Sequence, residues 1–197
     1  MADRLEDLSR LFERFPGIGP RQAKRFVFHL LSLPQGDRDR LSQVIAELTK
    51  DVKQCTECMR FANGVCFYCT DAARDDALLM ILEKDQDLAA MERTGTYKGR
   101  YFVLGGVLTL SGKGVIREKE MVRAVEKRIT SGLKEIVLAL SATSEGENTA
   151  DRVRELLRNY RDQVKITTLG RGLATGSELE YADKETLSGA LQNRKET

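Results

Sequence analysis

The stretch CTECMRFANGVCFYC, Cys55 to Cys69, holds all four cysteines of this 197-residue chain. No other feature constrains the fold so tightly. The thiols form two C-x-x-C pairs, Cys55 with Cys58 and Cys66 with Cys69. Two thiolates three positions apart on a tight turn can grip one metal ion, and two such turns complete a tetrahedron. Zinc suits four thiolates because it imposes no geometry of its own and has no redox chemistry. Four protein ligands leave no open position, so one structural zinc per chain is expected. Two disulfides, a redox C-x-x-C and an iron–sulfur cluster are the alternatives. His29, the one histidine, lies well upstream in a helical stretch, which disfavours a site of three cysteines and one histidine.

Composition sets the surroundings of this module. With 41% apolar and 31% charged residues the chain reads as an ordinary globular protein. No apolar run approaches the roughly 20 residues that span a bilayer. Met1 to Asp7 alternates charge without a signal peptide's apolar core, so a cytoplasmic address is expected. Disulfides are rare in that compartment, which favours the metal reading. A net charge of +2 says nothing of partners, and any nucleic-acid affinity must come from local clustering.

Such a cluster precedes the cysteines. Leu5, Leu8, Leu11, Phe12 and Phe15 recur at helical spacing, and FPGIGPRQAKRFVFHLL then breaks and restarts the helix. Its second stripe is Ala23, Phe26, Val27, Leu30 and Leu31. Pro20 suits a first helical turn, and Gly17 and Gly19 free the backbone before it. The pattern is a helix-hairpin-helix, whose amides at the second helix start can seat a DNA phosphate. Arg10, Arg14, Arg21, Lys24 and Arg25 stand there against the single acid Glu13. Sequence-nonspecific DNA binding is therefore expected from Arg21, Lys24, Arg25 and the two glycines. A plain helix–helix connection with a solvated basic face is the alternative. A third helix, through Leu41, Val44, Ile45, Leu48 and Val52, leads to the cysteines.

After the cysteines the texture alternates. ALLMIL, YFVLGG, EIVLAL and VKITTL read as strands. Helical stretches separate them, around Leu88 to Arg93, in EKEMVRAVEKRI and in NTADRVRELLRNY. That order predicts a mainly parallel sheet covered by helices, with function at the carboxyl ends of its strands. Glu83 and Asp87 follow the first strand, and Glu145 and Glu147 follow EIVLAL. One acid after a strand and an acid-x-acid pair after a later one is the layout of a Toprim domain, which in enzymes holds magnesium. Such enzymes carry Asp-x-Asp where this chain has Glu145-Gly146-Glu147; the longer carboxylates and the intervening glycine weaken a tight two-metal arrangement, and a solvated acidic loop is the alternative to a magnesium site. GVLTLSGKG is no phosphate loop: Gly106 to Gly112 is one residue too long, and Gly114 stands where a Ser or Thr would bind magnesium.

A helix-hairpin-helix, a four-cysteine finger and a Toprim domain, in this order and length, resemble the RecR recombination mediator family. The likeness runs through FPGIGPRQAKRFVFHLL, CTEC…CFYCTDAARD, LEKDQDLAAMERTGTYKGRYFVLGG, SEGENTA and GSELEYADKETLSGAL. It implies an α+β chain: a helix-hairpin-helix domain at 1–54, a zinc finger at 55–76, a Toprim domain at 77–172 and a C-terminal helical tail at 173–197 for oligomer contacts. It also implies a non-enzymatic DNA-binding protein of recombinational repair in the bacterial cytoplasm, associated with the nucleoid. Members assemble as homodimers or ring-like homotetramers able to encircle DNA, and work with RecO and RecF proteins to bring the recombinase to gapped or single-stranded DNA. By the same likeness Arg21 and Arg25 contact DNA, and Glu83, Asp87, Glu145 and Glu147 form the Toprim acidic patch that docks RecO. One departure is the missing proline before GSELEYAD. A Toprim nuclease, primase or topoisomerase and a purely zinc-bearing interaction protein are the competing classes.

Overall fold

The computed structural model describes residues 3–194 and 196. The chain divides into two compact units, Met1–Val52 and Lys53–Thr197.

The first unit is helical: α1 (Arg4–Glu13), α2 (Pro20–Ser32) and α3 (Gln35–Asp51). Asp3 caps α1 by accepting from the Leu5 amide at 3.0 Å, and Glu6 and Asp7 complement the positive end of the helix dipole. Gly17 reverses the chain at φ +76°, a conformation that strains any side-chain-bearing residue. Pro20 then opens α2. The core of this unit is small. Among its described residues only Ser9, Ala23 and Val27 are buried, with Phe12 edge-on to Phe26 at 5.6 Å between ring centres. The stripe expected on α3 is present but uncovered: Leu41, Val44, Ile45 and Leu48 are all exposed, Ile45 by 64%. Phe15, Phe28 and Leu31 are exposed too.

After α3 the chain forms a two-stranded sheet, β1 (Val52–Gln54) and β2 (Phe61–Asn63), followed by the short helix α4 (Phe67–Thr70); all but Val52 belong to the second unit. Its main body is a four-stranded parallel sheet in the order β4-β3-β5-β6. The strands are β3 (Asp75–Leu82), β4 (Gly99–Val103), β5 (Glu135–Ala139) and β6 (Lys165–Thr168). Helices α5 (Asp85–Arg93), α6 (Glu118–Ile129) and α7 (Ser144–Leu156) connect them, and α8 (Lys184–Gln192) ends the described fold.

Both faces of the sheet are covered, which is why β3 reads as an unbroken apolar run. Leu79 and Ile81 pair in register with Ile136 and Leu138 and pack under Met121, Val125 and Val153 of α6 and α7. Met80 and Leu82 face the other way, toward Leu88 of α5 and Tyr101. The chain therefore leaves β3 toward one face and β5 toward the other. Neighbouring parallel strands whose connections diverge in this way form a topological switch point, and the crevice at their carboxyl ends is where open α/β sheets bind ligands. Glu83 and the loop from Leu140 to Thr143 occupy that place.

Candidate functional site

The first cysteine pair sits on a knuckle closed by backbone bonds. Cys55 N donates to Arg60 O at 2.8 Å and Met59 N to Cys55 O at 2.9 Å. This turn puts Met59 at φ +60°, the one positive φ outside glycine among the described residues. The second pair lies on the turn that becomes α4, where Cys69 N donates to Cys66 O at 3.0 Å. The sulfurs then meet across the two motifs, Cys58 with Cys66 at 3.6 Å and Cys55 with Cys69 at 3.8 Å. All four lie within 4.8 Å of one another.

These distances discriminate. A disulfide needs about 2 Å between sulfurs, and all four cysteines are free. Four zinc–sulfur bonds of about 2.3 Å in a tetrahedron set neighbouring sulfurs about 3.8 Å apart. The donor set therefore fits a tetrahedral metal ion, with zinc the natural match. Thiol protonation is uneven. Hydrogen bonding from Cys58 draws the Cys69 thiol down to about 6, and burial pushes the Cys55 thiol up. A bound cation favours the thiolate form of all four.

The sheet grips this module from below. Arg100, in β4, donates from Nη1 to the carbonyls of Tyr68 at 3.1 Å and Cys69 at 3.0 Å, and from Nε to Asp76 at 2.7 Å. Val103 N donates to Cys58 O at 2.8 Å. Tyr68, inside the second C-x-x-C, has the guanidinium groups of Arg60 and Arg74 over its ring, at 4.7 Å and 4.8 Å from the ring centre. Arg74 continues to Glu92 at 2.8 Å, whose carboxylate also accepts from the Tyr101 hydroxyl. Sequence reasoning missed these supports. The available signal was an arginine set directly before the apolar run YFVLGG.

The Toprim acids gather loosely at the switch point and are mostly engaged within the chain. Glu83 is buried and accepts from Ser141 N at 2.5 Å, tying the end of β3 to the loop after β5. Asp87 accepts from Lys84 N at 3.1 Å as part of the cap of α5, and burial raises its carboxyl above the usual range. Glu147 takes the guanidinium of Arg171. Only Glu145, exposed on the first turn of α7, has a carboxylate with neither a hydrogen-bond nor an ion-pair partner among the described residues. The glycine between the pair is required by packing. A Cβ at Gly146 would lie 2.0 Å from Ser141 O. Among the described residues, the cysteines alone bring three or more metal-ligating side chains together. The acids do not fit a magnesium site.

In the helical unit, α2 starts at Gly19 with no side-chain cap. Gly19 has an ordinary φ of −90°, and a Cβ on it would meet nothing within 4 Å. Nothing within the unit demands glycine there, and a Ser, Asp or Asn would cap the helix better. Its absence leaves the helix start open. Arg21 and Arg25 line the hollow at that start with Gly19, Pro20 and Gln22, while Lys24 is exposed on the same helix.

Comparison with known proteins decides the family. The family model described as RecR, helix-hairpin-helix, matches residues 5–49, and that described as RecR, C-terminal, matches 172–195. A Toprim domain model matches residues 77–170. "Recombination protein RecR" of Rippkaea orientalis is 38% identical over 194 residues, covering 96% of each chain. The protein of that name from Mycobacterium leprae is 38% identical over 187 residues, covering 92% of each. That from Prochlorococcus marinus is 37% identical over 188 residues, covering 93% of this chain and 96% of its own.

The chain belongs to the RecR family. The RecR helix-hairpin-helix match encloses Gly17, Gly19, Arg21, Lys24 and Arg25, and the Toprim match encloses all four acids. The cysteines fall between those two matches. Arg171 stands at the joint between the Toprim match and the RecR C-terminal match. No helix among the described residues is long and apolar enough to cross a membrane.

Proposed function

We propose that this RecR-family chain is a non-enzymatic recombination mediator of recombinational DNA repair. It closes on DNA as a ring or clamp of two or four copies and acts with RecO and RecF proteins to load the recombinase on gapped or single-stranded DNA. The observation that carries this reading is the open start of α2, uncapped at Gly19 and flanked by exposed Arg21 and Arg25. The positive end of the helix dipole and two arginines line one open hollow there, which suits phosphate contact with any DNA sequence. Lys24 adds charge on the same helix, and Gly17 and Gly19 keep the approach clear.

One zinc per chain, held by Cys55, Cys58, Cys66 and Cys69, is structural in this reading. It supplies the crosslink that a module of so few apolar residues lacks. Self-assembly is supported by apolar surface in each unit: Phe28, Leu31, Val44, Ile45 and Leu48 in the helical one, and Leu179, Tyr181 and Leu191 in the C-terminal segment. The acidic edge bearing Glu83, Asp87, Glu145 and Glu147 repels phosphates and suits a basic protein surface such as one on RecO.

The test is DNA binding and magnesium-dependent strand cleavage measured side by side on one preparation. Binding without cleavage is expected. Magnesium-dependent breaks that vanish in Glu145→Gln would overturn the reading in favour of a Toprim nuclease.

A further inference from the structure

The site where a Toprim enzyme would keep a metal-binding carboxylate is closed here by a cation from the chain itself. Glu147, the second member of the acid pair, is paired with the guanidinium of Arg171 in the loop after β6. The arginine is not loosely placed. Asn193, at the end of α8, donates from Nδ2 to Arg171 O at 2.8 Å. Within α8, Gly189 faces the same residue closely: a Cβ there would come 3.0 Å from Arg171 Cβ and 3.3 Å from Arg171 O. The next residue, Ala190, backs onto Gly172. The C-terminal helix thus forms a seat for the backbone of Arg171, and the seat aims the side chain at Glu147. Both charged groups are about half exposed, so solvent and ions can reach the pair.

We infer that Arg171 is an in-chain counter-cation that takes the place of a divalent metal at the Toprim acid pair, held there by α8. A carboxylate already neutralised by a guanidinium loses most of its pull on a second cation, and the guanidinium repels an incoming metal. The other acids reinforce the block. Glu83 is committed to Ser141 N and Asp87 to Lys84 N, so Glu145 alone stays unengaged, and one carboxylate makes a weak magnesium site. This rests on the reading that the Toprim acids carry out no chemistry, and it names the residue that keeps them from doing so.

The experiment titrates Mn2+ alone against the full-length, zinc-loaded protein and follows free Mn2+ by electron paramagnetic resonance. Wild-type protein should bind Mn2+ weakly. Arg171→Gln should bind it about five- to tenfold more tightly, the scale of one released ion pair. Arg171→Lys, which keeps the charge, should stay near wild type, and adding Glu147→Gln to Arg171→Gln should abolish the gain. Gly189→Val, which unseats Arg171 without removing it, should reproduce part of the gain. Wild-type Mn2+ affinity in both Arg171→Gln and Gly189→Val, with zinc content and circular dichroism unchanged, overturns the inference. Tight Mn2+ binding by the wild type also overturns it, and only accompanying DNA cleavage would overturn the functional reading as well.

Discussion

Arg100 donates from Nη1 to the backbone carbonyl of Cys69 at 3.0 Å, joining residues 31 apart in sequence. The arginine is one-tenth exposed and also holds Tyr68 O and Asp76. The second metal-binding turn is therefore positioned from outside, by a charge buried in β4. Arg100→Met would keep the bulk and strip the donors, leaving the Tyr68 and Cys69 carbonyls without this partner and Asp76 with Arg128 alone. A loss of about 2–3 kcal/mol is expected. It should appear as a lower melting temperature and as faster metal transfer to a chromogenic chelator. A variant that melts earlier but releases metal at the wild-type rate would mean that Arg100 supports the sheet and not the finger.

The finger itself should depend on its metal. Four thiolates on two turns bind zinc with an apparent free energy of about 10–16 kcal/mol, and that energy also folds the module. Native protein should contain one zinc per chain by elemental analysis, and Cys66→Ser should lose it together with the ordered contacts of Tyr68 and Arg100. Less than about half a zinc per chain in native protein would contradict the assignment.

Gly146 lies where the loop after β5 presses on the first turn of α7. Its missing side chain is a steric requirement, since a Cβ would lie 2.0 Å from Ser141 O. Gly146→Ala must push that loop away, straining the Glu83–Ser141 bond on its other side. About 1–3 kcal/mol of destabilisation is expected, the usual range for overpacking. Urea denaturation measures it, and a neutral Gly146→Ala would show that the loop yields freely.

How much of this was readable in the chain depends on the range of the interaction. The doubled C-x-x-C and the alternation of ALLMIL, YFVLGG, EIVLAL and VKITTL are local patterns, and the knuckles and the parallel sheet follow them. The apolar periodicity of α3 is equally local, but periodicity reports a face without saying what covers it. Leu41, Val44, Ile45 and Leu48 consequently remain exposed in one chain. The acids are the instructive case. Their positions after strands were legible, whereas their partners were not, because Glu147 meets Arg171 across 24 residues and Glu83 meets Ser141 across 58. No spacing rule reaches that far. The glycine in Glu145-Gly146-Glu147 looked like a departure from a metal motif, and its physical reason is a loop that only the folded sheet brings near.

The internal pairing also sharpens what a partner can use. Glu147 is already neutralised by Arg171, whereas Glu145 is exposed and unpaired among the described residues. If a basic surface of RecO docks on this edge, Glu145→Gln should weaken the complex more than Glu147→Gln does. The loss should be largest at low salt, because exposed charges are screened within about 10 Å at 0.1 M salt. Calorimetric titration at two salt concentrations makes the comparison. Equal effects of the two variants, or none, would move the docking site elsewhere.

If DNA is held by phosphate contacts at the start of α2, its affinity must depend on salt through those contacts. Each phosphate contact contributes about 0.7–0.9 to the slope of log affinity against log salt. Wild-type protein and the double variant Arg21→Ala, Arg25→Ala should be compared on several unrelated DNA sequences, with zinc content and oligomeric state matched. The variant should bind all of them more weakly to a similar degree, with a slope shallower by about 1.4–1.8 if each arginine contacts one phosphate in each bound copy. A lower affinity with an unchanged slope, or a loss confined to particular sequences, would contradict such contacts.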